Sequence, residues 1–253
     1  MRKLLCVTAH PDDEAAGFGG TLLLYHERGV ETSVICMTAG TAARNRGTAS
    51  TNEELAAMRR AEFAASCKLL NVSYGEVLDY PDGGLDRADL TRAVGDLVAR
   101  IRRLRPHVML TFGPDGGVTG HIDHAMAGTF ATLAFEWAGR PDRYPEQLQN
   151  GLAPHRAQKL YYHTADFSLP DRKPISQPTV TTRIEIGADR LEKKGQAFQQ
   201  HATQTPLFER VRKNLGPRDG AAAEMYHLAA TSRPRQAKFE TDLFEDVIED
   251  ETR

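Results

Sequence analysis

Short apolar runs alternate with longer amphipathic stretches over the first 165 residues. Runs rich in Leu, Val, Ile and Cys predict strands at residues 3–9, 32–37, 76–80, 108–112 and 159–163. Between them the apolar positions recur at helical spacing. Residues 19–28 read as a first helix stopped by Gly29, a C-terminal glycine. Residues 52–70 read as a second, with Thr51 or Asn52 as its cap and glutamates in its first turn. Residues 88–104 form a third, closed by arginines and Pro106, and residues 121–137 a fourth, ended by Gly139 and Pro141. A stretch rich in Pro, Arg and Gln, 140–155, reads as a surface excursion, and 166–179, with its prolines, as a loop. One more strand, 180–186, and a polar helix, 189–202, follow.

Strand–helix alternation implies an α/β fold: a Rossmann-like, mostly parallel sheet flanked by helices, with a smaller C-terminal strand and helix portion. In such sheets ligands gather at the carboxyl ends of the strands where strand order reverses. The expected organisation is a single domain over residues 1–228, with the α/β core at about 1–165 and a C-terminal elaboration at 166–228. Residues 229–253, ending FETDLFEDVIEDETR, form an acidic tail expected to dock through a short amphipathic segment before a frayed end.

Composition narrows the function classes. The 32 basic and 34 acidic residues nearly cancel, so bulk charge favours neither nucleic acid nor an anionic membrane as a partner. No apolar run approaches the ~20 residues of a membrane span, and LLCVTA is short for a signal-peptide core of ~7–15 residues. The expected location is cytoplasmic. The three cysteines are odd in number, widely spaced and lack a CxxC pair, which argues against disulfides or a structural zinc site. Cys6 and Cys36 sit in strand-like runs and read as core. Oligomeric state is not legible.

Two clusters carry chemistry. The first strand ends in AHPDDE, placing His10, Asp12, Asp13 and Glu14 where a buried strand leaves the sheet. Buried acids cost several kcal/mol each unless paired or bound to a metal. Pro11 stiffens the turn and pushes His10 toward an extended conformation. The second cluster, TFGPDGGVTGHIDH, leads from a strand through a glycine-rich loop to His121 and His124, three apart at a helix entry and so on one face. Either cluster alone could be helix caps and packing. Together they supply three imidazoles and at least three carboxylates, enough for a His₂Asp metal site with groups left over for catalysis. Such a site keeps an open position for an attacking water.

AHPDDE followed downstream by GHIDH resembles the LmbE-like (PIG-L) family of zinc-dependent N-acetylglucosaminyl deacetylases. RRAEFAASCKLLNV, LDYPDGGL and HATQ resemble further segments of that family, so the likeness runs from about residue 3 to about residue 228. The resemblance implies that His10, Asp13 and His124 bind Zn²⁺, a ligand set that also accepts Fe²⁺. It implies Asp12 as general base on the metal-activated water and His121 as stabiliser of the oxyanion and proton donor to the leaving amine. Asp123 would orient a histidine, and Glu14 would support the site structurally. Arg59 and Asp82 would hold sugar hydroxyls, against the plainer alternatives of an Arg59–Glu62 surface pair and a turn aspartate. His201 in HATQ is either part of the family element or an ordinary capping or surface histidine, and His163 at a strand end stays ambiguous.

The implied substrate is a small N-acetylated sugar or sugar conjugate. Amidase action on a sugar–thiol conjugate and a non-catalytic sugar- or metal-binding descendant are the alternatives. A dinucleotide site in AGFGG is disfavoured because Ala16–Gly20 lacks GxGxxG spacing and three acids precede it. Two departures from the family pattern stand out. Ile122 occupies the usual Pro position of GHPDH, and Thr119 stands where many members carry an aromatic, which removes a phenol donor to the oxyanion.

Overall fold

The computed structural model describes residues 1–169, 175–206, 222–236 and 238–249. The apolar runs become β1 (Lys3–Thr8), β2 (Glu31–Thr38), β3 (Tyr74–Tyr80), β4 (Val108–Phe112) and β5 (Lys159–Thr164). These strands are parallel, in the order β3-β2-β1-β4-β5. Strand order reverses between β1 and β4, which are direct neighbours with Cys6 opposite Leu110. The loops leaving their carboxyl ends therefore face one another, as the switch-point rule requires. Cys6, Cys36 and Cys67 are all free and buried.

The helices are α1 (Asp13–Glu27), α2 (Asn52–Leu69), α3 (Leu90–Leu104), α4 (Ile122–Ala138), the short α5 (Pro145–Gln149) and α6 (Gly187–Gln199). Thr51 caps α2 in a capping box with Glu54, and Arg105 ends α3 in the left-handed conformation. α1 begins six residues before the sequence places it. Gly20 within it serves packing: a Cβ there would lie 2.3 Å from Ile186 Cδ1. α5 adds one turn to the expected excursion at 140–155.

Two antiparallel strands complete the sheet. β6 (Thr182–Glu185) falls within the predicted 180–186 strand, whereas β7 (Ala223–Thr231) was not anticipated. It lies between β5 and β6, giving the order β5-β7-β6 at that edge. Its sequence, AEMYHLAAT, has little apolar contrast, and only Glu224 and Tyr226 are fully buried. Pairing on both sides, rather than alternation, makes it a strand.

Glu224 fastens α1 to this edge. Its carboxylate accepts the N–H groups of Gly20 and Thr21 at 2.9 and 2.8 Å and meets Lys194 Nζ at 2.6 Å. Burial alone would raise its pKa, but the Lys194 charge and the hydrogen bonds hold it below the usual carboxylate range. A depressed folded pKa contributes stability that is present above the unfolded value of ~4.3 and is lost as pH falls through the folded one. Glu224→Gln is expected to cost about 3–5 kcal/mol near neutral pH and to flatten the acid limb of the stability curve. Urea unfolding between pH 7 and pH 3 measures both.

Near the end of the chain Leu243, Phe244 and Val247 are buried, and Glu240 pairs with Lys159 at 2.8 Å. Tyr25 Oη donates to Asp242 at 2.8 Å. The last residues of the tail, 250–253, where a frayed end was expected, lie outside the described residues. Among the described residues no helix is long and apolar enough to cross a membrane.

Candidate metal centre

The loop after β1 is tightly held. Asp13 opens α1, and its Oδ2 accepts the N–H groups of Ala9 and His10 at 3.2 and 2.8 Å. Asp12, one residue earlier, has φ +124° and ψ −27°, a conformation costly for a residue with a side chain. Glu14 points inward, where Oε2 accepts the Asp12 N–H at 3.0 Å. Its Oε1 accepts Ser66 Oγ at 2.6 Å and His201 Nε2 at 2.7 Å. From the neighbouring strand, the glycine loop after β4 delivers His121 as the cap of α4, with Nδ1 accepting the Asp123 N–H at 3.1 Å.

These groups converge. Asp13 gives Oδ2 to His10 Nδ1 at 3.5 Å and Oδ1 to His124 Nε2 at 3.2 Å. The other nitrogen of His10, Nε2, faces Asp82 Oδ1 at 3.1 Å and Asp123 Oδ2 at 3.3 Å. Two triads bring potential ligand atoms within 4.8 Å of one another: His10, His121 and His124, and His10, Asp82 and Asp123. The second supports the first, because its carboxylates are already committed. Asp82 Oδ2 accepts Ala42 N–H at 2.6 Å, and Asp123 accepts the N–H groups of Gly83 and Leu85 at 2.6 and 3.1 Å.

Hydrogen bonding tests whether a cation suits this place. The Thr119 hydroxyl donates to Gly116 O at 3.0 Å, so toward His124 Nδ1, 3.1 Å away, it can only accept. That puts the His124 proton on Nδ1 and turns the Nε2 lone pair toward Asp13. Likewise, the two carboxylates behind His10 favour a proton on Nε2 and a bare Nδ1 facing Asp13. Two lone pairs aimed at a carboxylate require a positive charge between them. Without an ion, a proton fills that need: burial would lower the His10 pKa, but bonds to Asp123, Asp13 and Asp82 carry it well above the ordinary value. A divalent cation would displace that proton. The separations of 3.5 Å to Asp13 Oδ2 and 3.2 Å to Asp13 Oδ1 are close to the spacing of neighbouring ligand atoms about 2.0–2.2 Å from one ion.

Asp12 differs from its neighbours. Burial first, and the Asp13 charge second, push its carboxyl up to about 6, against the opposing charge of Arg59. Its single described side-chain partner is Arg59 Nη2, at 3.5 Å. Arg59 is only 3 % exposed and donates from Nη1 to the Gly40 carbonyl at 2.7 Å and from Nη2 to that of Pro11, while its buried Nε has no partner among the described residues. A sugar contact through Arg59 or Asp82 would require these bonds to be exchanged. The alternative Arg59–Glu62 surface pair does not form, since Glu62 instead accepts Thr203 N and Oγ1 at 2.9 and 2.6 Å. Burial, followed by the nearby His10 and His124, lowers the His121 pKa. With Nδ1 accepting, neutral His121 carries its proton on Nε2.

Three contributors escape a reading by residue type. Thr119, noted in the sequence for the aromatic it replaces, orients His124. Ser66 looks like any small polar residue on a helix. His201 is completely buried rather than at the surface, and the HATQ likeness was its one signal. His163 lies against Phe18, with ring centroids 5.3 Å apart, rather than among the converging groups. A groove of about 470 Å³ beside β3, lined by Phe63, Cys67, Val72 and Val77, contains none of these groups.

Comparison with known proteins identifies the family. The family model described as PIG-L, GlcNAc-PI de-N-acetylase, matches residues 5–135, which include both clusters. The 1D-myo-inositol 2-acetamido-2-deoxy-alpha-D-glucopyranoside deacetylase 2 of Catenulispora acidiphila is 32% identical, over 90% of this chain and 88% of its own length. The mycothiol S-conjugate amidase of Streptomyces coelicolor is 29% identical, over 78% of this chain and 72% of its own. Among solved structures, the N,N′-diacetylchitobiose deacetylase of Pyrococcus horikoshii superposes with a TM-score of 0.73 at 24% identity, covering 90% of this chain and 83% of that one, a likeness of fold. The AHPDDE and GHIDH loops both lie within the matched residues, and the chain belongs to the PIG-L family.

Proposed function

We propose that the protein hydrolyses the acetamide of an N-acetylglucosamine-type sugar or sugar conjugate. The observation that carries this reading is the convergence of two ring nitrogens, His10 Nδ1 at 3.5 Å and His124 Nε2 at 3.2 Å, on the Asp13 carboxylate next to Asp12. His10, Asp13 and His124 would hold Zn²⁺ or Fe²⁺. Such an ion supplies Lewis acidity and brings the pKa of a water down to about 7.

The chain's own groups divide the remaining work. Asp12 is the carboxylate free of imidazole partners, so it takes the proton of the attacking water. Arg59 keeps it oriented. His121 offers Nε2–H to the carbonyl oxygen as negative charge develops there, the role of an oxyanion donor. The proton gained by Asp12 is then available to the departing amine, with His121 as the other donor. Asp82 and Asp123 hold the His10 ring, and Thr119 holds His124. The same groups serve an amide in a sugar–thiol conjugate, so the substrate panel must include both.

The test pairs metal analysis of the purified protein with amine release from N-acetylglucosamine conjugates, before and after chelation. About one Zn²⁺ or Fe²⁺ per chain is expected, with turnover abolished by the chelator and restored by the ion. Cleavage of the thiol conjugate alone would move the assignment to the amidase. Full activity in metal-free protein would overturn it.

A further inference from the structure

The chain returns beneath the site long after both motifs, and the chemistry above makes no use of that return. His201 follows α6 and, like Glu14, is completely buried. The two meet at 2.7 Å across 187 residues of sequence. Ser66, on α2, donates to the same Glu14 oxygen at 2.6 Å. Two donors on Oε1 fix the plane of the carboxylate and hence the direction of Oε2. That second oxygen accepts the N–H of Asp12 at 3.0 Å, at the residue whose φ is +124°. A non-glycine residue there costs about 1–3 kcal/mol and persists only where its surroundings hold it.

We infer that His201 and Glu14 form a positioning relay that holds the Asp12 backbone in its strained conformation and so aims the Asp12 carboxylate. The relay rests on the hydrolase reading, in which Asp12 is the base. His201 is itself anchored. Glu62 of α2 accepts Thr203 N and Oγ1, and Asn45, in the loop after β2, donates to Thr203 O at 2.7 Å. The segment 201–204 is thus tied to α2 and to a loop at the carboxyl end of the sheet, and the tie ends at the base. Among the described residues His201 Nδ1 is buried with no hydrogen-bond partner, so the described hydrogen bonding of the ring is directed to Glu14. Carboxylates that orient metal-binding histidines act on ligand nitrogens; this one acts on the backbone of the proton acceptor.

The experiment compares His201→Phe, which fills the space without a donor, with His201→Gln, whose amide can reach Glu14. In His201→Phe, kcat is expected to fall about ten- to hundred-fold, as small displacements of a catalytic group do. KM should stay within about two-fold and bound metal should be unchanged, because neither substrate binding nor the ligand set is touched. Its crystal structure should show Asp12 relaxed to negative φ. His201→Gln should restore most of kcat and the positive φ. Wild-type kcat in His201→Phe with Asp12 still near +124° would overturn the relay, as would loss of metal in parallel with activity. If His201→Phe does not fold, Ser66→Ala removes the other Oε1 donor and is read in the same way. Should the wild-type protein release no amine from any acetylated sugar, the hydrolase reading falls, while the Asp12 φ in the variants still decides whether the relay exists.

Discussion

Replacing Asp12 by Asn is expected to lower kcat for amide hydrolysis by about 10²–10⁴-fold, the range assigned to a positioned general base, with the metal still bound. The reason lies in how the carboxylates are shared out. Asp13 is spent on His10 and His124, Asp82 and Asp123 on His10, and Glu14 on His201, Ser66 and the Asp12 backbone. Asp12 has, among the described residues, a guanidinium as its one side-chain hydrogen-bond partner, at 3.5 Å. Asn fills the same volume and leaves every other bond in place, so the loss reports proton transfer rather than assembly. Amine release under saturating substrate, with metal content measured on the same sample, decides the matter. Activity within ten-fold of wild type at full metal occupancy would remove Asp12 from the role of base.

Asp13→Ala is expected to have the opposite signature: the metal goes, and activity goes with it. Among the described residues Asp13 is the one carboxylate that reaches both His10 and His124, so without it the two imidazoles lose their shared anion and a divalent cation its charged ligand. Losing a hydrogen-bond partner behind a ligand typically costs about 10–100-fold in metal affinity, and losing the ligand itself should exceed that. Thr119→Val provides the internal comparison, because it removes only the hydroxyl 3.1 Å from His124 Nδ1 and should fall within that range. Titration with Zn²⁺ and the accompanying rise in melting temperature read both variants. Equal zinc affinity in Asp13→Ala and wild type would place the ion elsewhere, with His10, Asp82 and Asp123 the next triad to test.

The strands and helices up to β5 were legible because their signals are local. A buried parallel strand is a short apolar run, a helix has its period, and caps such as Thr51 and Pro106 mark the ends within a few residues. The exceptions are equally physical. At α1 the helix starts at Asp13, six residues earlier than its predicted start, and Gly20 lets it approach Ile186. β7 carries no strong pattern of its own and is made a strand by partners on both sides.

At the site, residue types alone named the groups but not their partners. His10, Asp12, Asp13, Glu14, His121, Asp123 and His124 could be picked out because a His–carboxylate cluster at a strand end is too expensive to exist without a purpose. Sequence by itself determined the order of elements, the strand ends that bear the chemistry and the ligand types that suit a divalent ion. Only the tertiary structure decided that Arg59 turns to Asp12, that Asp82 backs His10, that Thr119 sets the tautomer of His124 and that His201 reaches Glu14. Periodicity and capping act within a turn or two of chain, so they are written locally. The direction of a buried side chain is set by packing against residues far away in sequence, and that information exists only once the sheet has closed β1 against β4 and the last segments have folded back beneath them.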